Sequence, residues 1–264
     1  MKINNYSNSQ DKEDFLKRFS VIPRKLYPTR PLPPDEYWSL LISEFKQLNK
    51  ELFILVLNGE DIGRIGCNIS QAYDATGVFG FCEIKEQHKH MAKELINAAQ
   101  EWLKANQAKT VIGPIDFNVW LGNRFKQSQA KADYSWEPNN PSFYPELFLE
   151  NGYHLDQGYI SMLYDDSNLC YERTKSAYSS AQEQGYTLRN LDLKRPNEVD
   201  TLYALNLKSF KINYMYEPIS REQYEAIHIR GVQTMDLQYS FFILNPEGIE
   251  IGYVFSFIDT SGEQ

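Results

Sequence analysis

The chain has 264 residues, enough for two domains of ordinary size, and its 42% apolar and 23% charged shares are those of a globular protein with a sizeable core. Asp and Glu number 35 against 27 Lys and Arg, a net charge of −8, which is the wrong sign for a general nucleic-acid binder that displaces counterions with a basic face. The three cysteines, Cys67, Cys82 and Cys170, have neither zinc nor redox spacing. No apolar run approaches the length of a membrane span, and the N-terminus lacks the apolar segment of a signal peptide, so a cytoplasmic protein is expected.

In chain order, residues 1–11 read as a disordered lead. The Pro-rich "RKLYPTRPLPPDEYW" reads as a connector to a helix near 34–48, with Trp38, Leu41, Ile42 and Phe45 on one face. "ELFILVL", "NGED" and "IGRIGCNI" form a hairpin around an Asn-Gly turn. "GVFGFCEI" is a further strand. It runs into a helix predicted over 88–104, where Met91, Leu95, Ala99, Trp102 and Leu103 recur at helical spacing. "KTVIGPI" is a short buried strand closed by Gly-Pro, and residues 118–142 show no clear element. "SFYPELFLENGYHL" reads as a short helix stopped by Gly152, and "GYISMLYD" as a strand. Residues 167–184 read as a helix and linker.

A second set of elements follows: strand "YTLRNLDL", a helix from Pro196 to Lys211, a helix from Arg221 to Arg230, and the strands "QYSFFIL" and "IEIGYVFSFI" around the turn "NPEG". "FILVLNGEDIGRI" and "FFILNPEGIEIGYV" are alike, with Gly63 and Gly252 in matching places. That points to a duplicated unit whose second copy stops before any counterpart of the 88–104 helix.

The joint between "GVFGFCEI" and that helix collects Lys85, His88, Lys89 and His90. Cations at a helix N-terminus cost about 0.3–1 kcal/mol each, so their accumulation suggests an anionic ligand. The alternative is a solvated face in which Lys85, Lys89 and Lys93 are offset by Glu83, Glu86 and Glu94. A metal is disfavoured, because His88 and His90 are two apart and would not share a helix face.

The element order over 14–165 resembles the GNAT fold of acyl-CoA-dependent N-acyltransferases: helices, hairpin, strand, cofactor helix, strand, short helix, strand. The segments "FLKRFSVIPRKLY", "NGEDIGRIGCNI", "GVFGFCEI", "AAQEWLKANQAKTVIGPIDF" and "EPNNPSFYPELFLENGYH" are similar to a bacterial group of two-part GNAT-like proteins. The resemblance implies an α/β fold, a GNAT-like mixed and mostly antiparallel sheet flanked by helices, with a second partial GNAT-like unit. It implies an acyl-CoA-binding domain over 1–165 and a partial unit lacking the cofactor helix over 166–264.

By the same resemblance, the strand before the helix splays to admit the pantetheine arm, and the pyrophosphate rests on the helix start. The family pattern of Arg or Gln, two residues, Gly, one residue, then Gly or Ala falls on Gln87, His90 and Ala92. His90 departs from it, because a ring stands where glycine would let phosphate reach the backbone. The implied cofactor contacts are Ile84, Lys85, Gln87, His88, Lys89, His90, Met91, Ala92, Asn139 and Asn140. Tyr144 takes the place of the acid that protonates the leaving thiolate, and Glu83 is the candidate base. Asp116 and Asn118, after Gly113-Pro114, would orient substrate. Each has a plainer alternative: packing for Tyr144, a solvent-facing strand end for Glu83, and loop capping for Asp116 and Asn118. His154 reads as a surface or packing residue.

The implied activity is acyl transfer, acetyl being the expected group, from acyl-CoA as co-substrate to a small-molecule or peptide amine. No metal, nucleic acid or membrane is expected, and the exposed edge of the partial unit is expected to pair either with the first unit's sheet or with a second copy in a homodimer. The competing reading is a catalytically inactive GNAT-like module that binds a ligand or partner. Aminoacyl transfer from transfer RNA fits the duplication but not the charge.

Overall fold

The computed structural model describes residues 1–30, 48–127, 137–162, 166–232 and 235–258. The helix predicted near 34–48 lies outside them almost entirely. The chain divides into two units, one built mainly of Met1–His154 with Asn213–Ile219, the other of Leu155–Ile212 with Ser220–Thr260.

The first unit is built on a five-stranded sheet in sequence order: β1 (Lys2–Asn5), β2 (Lys50–Leu57), β3 (Glu60–Ile69), β4 (Thr76–Ile84) and β5 (Thr110–Ile112). All neighbours are antiparallel except β4 and β5. The presumed disordered lead is therefore corrected: Lys2–Asn5 pairs with Phe53–Val56. Buried Glu51 fastens it by accepting from the Ser7 N–H at 3.0 Å and from Asn5 Nδ2 at 3.3 Å. Asn58 and Gly59 both take positive φ in the β2–β3 turn, as an Asn-Gly hairpin turn requires.

Helix α1 (Lys12–Leu26) covers one face of the sheet. Asp11 caps it by accepting from the Asp14 N–H at 2.9 Å, and Phe15, Phe19 and Ile22 form its buried stripe. Pro23, in its last turn, has no N–H to give the Phe19 carbonyl, so Arg64 Nη1 supplies that donor from β3 at 2.6 Å. Helix α2 (Ala92–Ala105) covers the other face, burying Leu95, Ile96, Ala99 and Leu103 against Phe53, Leu55, Ile65 and Phe79. Short α3 (Tyr144–Glu150) joins this core through Phe148, stacked on Phe79 with centroids 4.5 Å apart. Gly152 follows it at φ +87°.

The second unit holds α4 (Ser167–Glu183) and an antiparallel sheet of β6 (Thr187–Asn190), β7 (Phe241–Leu244) and β8 (Glu250–Val254), with β8 at an edge. Helix α5 (Glu198–Phe210) buries Leu202 and Asn206. Helix α6 (Arg221–Tyr224) starts with a Ser220 capping box and runs into a π-helical turn, Glu225–Ile229. The strand predicted for "GYISMLYD" does not form over residues 158–162. The chain there is exposed, with Ile160 at 87% and Met162 at 72%, and the last three of its residues lie outside the described set.

The hairpin likeness has a structural counterpart. Leu55 faces Gly63 and Ile243 faces Gly252, and in both hairpins the register breaks at the next residue. Each glycine sits beside the bulge.

Candidate functional site

The site grows out of a break in β4. Its register with β3 shifts between Arg64 and Gly66, and Phe81 takes φ +53°. Pairing with β5 covers only Thr76–Val78, after which the chain turns away through Gly113-Pro114. Beyond that point β4 is satisfied by other groups. The Ile115 N–H reaches the Phe79 carbonyl at 2.6 Å, the Asp116 carboxylate accepts from the Phe81 N–H, and the Tyr144 hydroxyl accepts from the Ile84 N–H at 2.9 Å. Regular pairing of the two parallel strands thus ends at Val78, and the chain after β5 stays on β4 through Ile115 and Asp116. The backbone donor at the end of β4 is held by Tyr144.

A cleft with about 280 Å³ of empty space, open to solvent, lies at this edge. Cys82, Glu83 and Ile84 of β4, Ala92, Leu95 and Ile96 of α2, and Tyr144 of α3 line it. Its walls are mostly apolar, and its polar groups converge on Glu83.

Glu83 is 9% exposed, and Tyr144 donates to its Oε2 at 2.9 Å. Arg30 Nη2 pairs with Oε1, and Arg64 faces Glu83 directly across the β3–β4 ladder. Tyr27, the C-cap residue of α1, donates to the Ile84 carbonyl at 2.6 Å. The backbone of Ile84 is thereby held by tyrosine hydroxyls at both its N–H and its C=O. Burial, with the Glu83 charge second, pushes the Tyr144 phenol well above its ordinary value. Burial lifts Tyr27 to about 12 and lowers Arg64 to about 10. A buried carboxylate needs such countercharge, and two arginines supply it. The two sequence candidates for acid and base, Tyr144 and Glu83, are thus in direct contact, and the solvent-facing alternative for Glu83 does not hold.

The basic joint is arranged differently from expectation. The α-helix starts at Ala92, and Glu86–Met91 forms a 3-10 turn broken at His88. Lys85, His88, Lys89 and His90 therefore precede the helix, and only Lys93, next to Glu94, stands in its first turn. Lys85 Nζ pairs with Glu60 at 3.0 Å, and Gln87 Nε2 lies 3.1 Å from His88 Nε2. Lys89 lies over the Phe143 ring at 5.6 Å, and the His88 and His90 rings are 6.4 Å apart. Met91 packs on the core and Ala92 is buried in it. His90 is exposed, so its ring does not fill the cleft. No cluster of His, Cys, Asp or Glu among the described residues is placed to hold a metal.

Asp116 and Asn118 are engaged with their own loop. Besides the Phe81 N–H, Asp116 meets Gly122, and burial raises its carboxyl to about 6. Asn118 Oδ1 accepts from the Trp120 N–H at 3.1 Å. Asn140 clasps the Lys126 backbone from both sides, accepting from its N–H at 2.7 Å and donating to its carbonyl at 3.2 Å. Asn139 beside it is half-buried. His154 is exposed.

Sequence reading missed Tyr27, Arg30 and Arg64. The first two stood in a stretch read as a connector, and Arg64 in a hairpin read only for its glycines. A lone arginine between apolar strand residues was the one available signal for Arg64.

No protein-family profile matches the chain. It is 23% identical over 247 residues to the bacterial ceramide synthase of Caulobacter vibrioides (strain NA1000 / CB15N), a match covering 86% of this chain and 63% of that protein. The chain thus spans less than two thirds of the length of that curated relative. Among solved structures it is similar to the aminoglycoside N-acetyltransferase AAC(6')-Iy bound to a bisubstrate analog, at 14% identity and a TM-score of 0.41, covering 63% of this chain and all of that one. Glucosamine-6-phosphate N-acetyltransferase from Arabidopsis thaliana matches at 10% identity and 0.38, covering 62% and 100%. From α1 to α3 the first unit follows the expected GNAT-like order of helix, antiparallel hairpin, strand, helix, parallel strand and short helix, with β1 ahead of it and no strand over 158–162 to close it. Within that class of fold, function must be argued from the site.

Proposed function

We propose that the chain transfers an acyl group from acyl-CoA to the amine of a small molecule. The observation that carries this reading is the Tyr144–Glu83 contact of 2.9 Å at the edge where β4 no longer pairs with β5, beside an open cleft. Glu83 would take the proton of the attacking amine and Tyr144 would supply one to the departing thiolate. Residues 1–165 would form the acyl-CoA-binding domain, with the phosphates near Lys85, Gln87, His88, Lys89 and His90 and the acyl end beside Ile84, Met91 and Ala92. Asn139, Asn140, Asp116 and Asn118 would act by shaping the walls. Residues 166–264 would be a duplicated, partial unit, whose edge strand β8 offers a pairing edge to a second copy. A ceramide synthase forms the same kind of bond, an amide from an acyl donor and an amine, which supports the reaction class.

Calorimetric titration with acetyl-CoA and longer acyl-CoAs, followed by thiol release with a panel of amines, tests the reading. Binding and amine-dependent release are expected. A protein that binds no acyl-CoA is not an acyltransferase.

A second reading, a binding module without turnover, draws on Tyr144 holding the Ile84 N–H, the backbone donor at the end of β4. Acyl-CoA binding without thiol release for any amine is its signature.

A further inference from the structure

We propose that Glu83 and Tyr144 act as one proton relay, held in register by Tyr27 and Arg30, so that the proton taken from the amine is passed on to the thiolate. This rests on the acyltransferase reading and goes beyond it. Separate acid and base roles need no contact between the two residues and would let each exchange protons with solvent.

The geometry favours a relay because the two groups are already hydrogen-bonded and mostly buried. Tyr144 donates to Glu83 Oε2 at 2.9 Å, and its oxygen accepts from the Ile84 N–H at 2.9 Å. Both residues line the cleft. When the amine attacks the thioester, the C–N bond forms, the C–S bond breaks and the nitrogen loses one proton to Glu83. The Glu83–Tyr144 hydrogen bond then reverses polarity: the protonated carboxyl donates to the phenol oxygen. That frees the original phenol proton for sulfur. At the end Glu83 is again a carboxylate and Tyr144 again a phenol, and the products are an amide and a thiol.

Tyr27 and Arg30 are positioning residues. Arg30 holds the carboxylate through Oε1, leaving Oε2 for Tyr144. Tyr27 grips the Ile84 carbonyl at 2.6 Å, and the N–H of Ile84 holds Tyr144. Both lie at the end of α1 and were unmarked in the sequence.

The test is a double-mutant cycle on Glu83→Gln and Tyr144→Phe, read in two ways. In single-turnover acyl transfer, each substitution should lower the rate about 10²- to 10⁴-fold, and the double variant should be no slower than the worse single. In urea unfolding without substrate, the two effects on the folding constant should be non-multiplicative by about 2- to 100-fold, as for groups in contact. Tyr27→Phe should lower kcat about 10-fold or more with KM for acyl-CoA unchanged, a split that general loosening of the fold would not give. Multiplicative rate losses overturn the relay and leave the acyltransferase reading standing. Absence of turnover with every amine, while acyl-CoA binds, overturns both.

Discussion

Arg64 reaches across from β3 to the Phe19 carbonyl, 2.6 Å away, which Pro23 leaves without its intrahelical donor. The same guanidinium lies over the Phe19 ring at 4.7 Å and faces Glu83 on β4. Helix α1, the sheet and the candidate site are therefore joined at one buried side chain. Replacing it removes a carbonyl's donor and a carboxylate's countercharge together. Arg64→Met should cost about 3–5 kcal/mol in urea unfolding. In a Pro23→Ala background, where residue 23 regains an N–H, that cost should shrink by about 1 kcal/mol. An equal cost in both backgrounds would remove the helix-repair role.

Asp116 gives a pH signature. Its carboxyl is raised from 3.8 to about 6, chiefly by burial. Its charged form is thus disfavoured in the fold. The group's contribution to stability is fully present below about pH 4 and lost as pH rises through about 6. At about 1.4 kcal/mol per tenfold change in proton affinity, the loss approaches about 3 kcal/mol by pH 8. Asp116→Asn keeps an acceptor for the Phe81 N–H without the charge. It should be more stable than the parent at pH 8 by about 2 kcal/mol or more, and close to it only below about pH 4. A difference independent of pH would show that Asp116 ionises freely.

Local chemistry was legible where it acts locally. The Asn-Gly turn, the apolar spacing of Leu95, Ala99 and Leu103, and Gly152 after α3 all appear where the sequence places them. Strand β1 was not legible, because "KINN" offers one apolar residue, Ile3, and joins the sheet chiefly by backbone pairing. "GYISMLYD" failed in the opposite way: its pattern suits a strand, but no strand forms over 158–162 and the backbone there is exposed. Glu83 and Tyr144 were singled out individually, but not their contact across 61 positions. Tyr27 and Arg30 act at separations of 57 and 53 residues, and no local pattern encodes such pairings.

In the second unit the titrating group is His228, in the π-helical turn with its ring 5.1 Å from that of Tyr224. Burial lowers it from 6.5 to about 4. The depressed value means its contribution is present above about pH 6.5 and lost as pH falls toward 4, at about 1.4 kcal/mol per pH unit. Hydrogen exchange of amides in 221–229 should accelerate, relative to the intrinsic rate, between pH 6.5 and 5. His228→Gln should flatten that trend. A trend surviving the substitution would assign the acid sensitivity to another group.

Gly80 tests whether the edge of β4 past Val78 depends on close backbone approach. A Cβ there would lie 2.2 Å from the Ile115 carbonyl oxygen and 2.6 Å from Asp116 Oδ1. No rotamer relieves a clash with backbone, so Gly80→Ala must push the 113–118 loop away from β4. That strains the Ile115-to-Phe79 hydrogen bond and the Asp116 carboxylate that serves Phe81. A loss of about 1–3 kcal/mol is expected, with a lower midpoint in thermal unfolding. Gly59→Ala is the control for glycine loss without crowding: it has nothing within 4 Å of its Cβ, and it sits at φ +84°. Its cost should be conformational alone, about 1 kcal/mol. A Gly80→Ala protein as stable as its parent, with acyl-CoA binding unchanged, would mean that the loop yields freely and that its close seat on β4 does not shape the cleft.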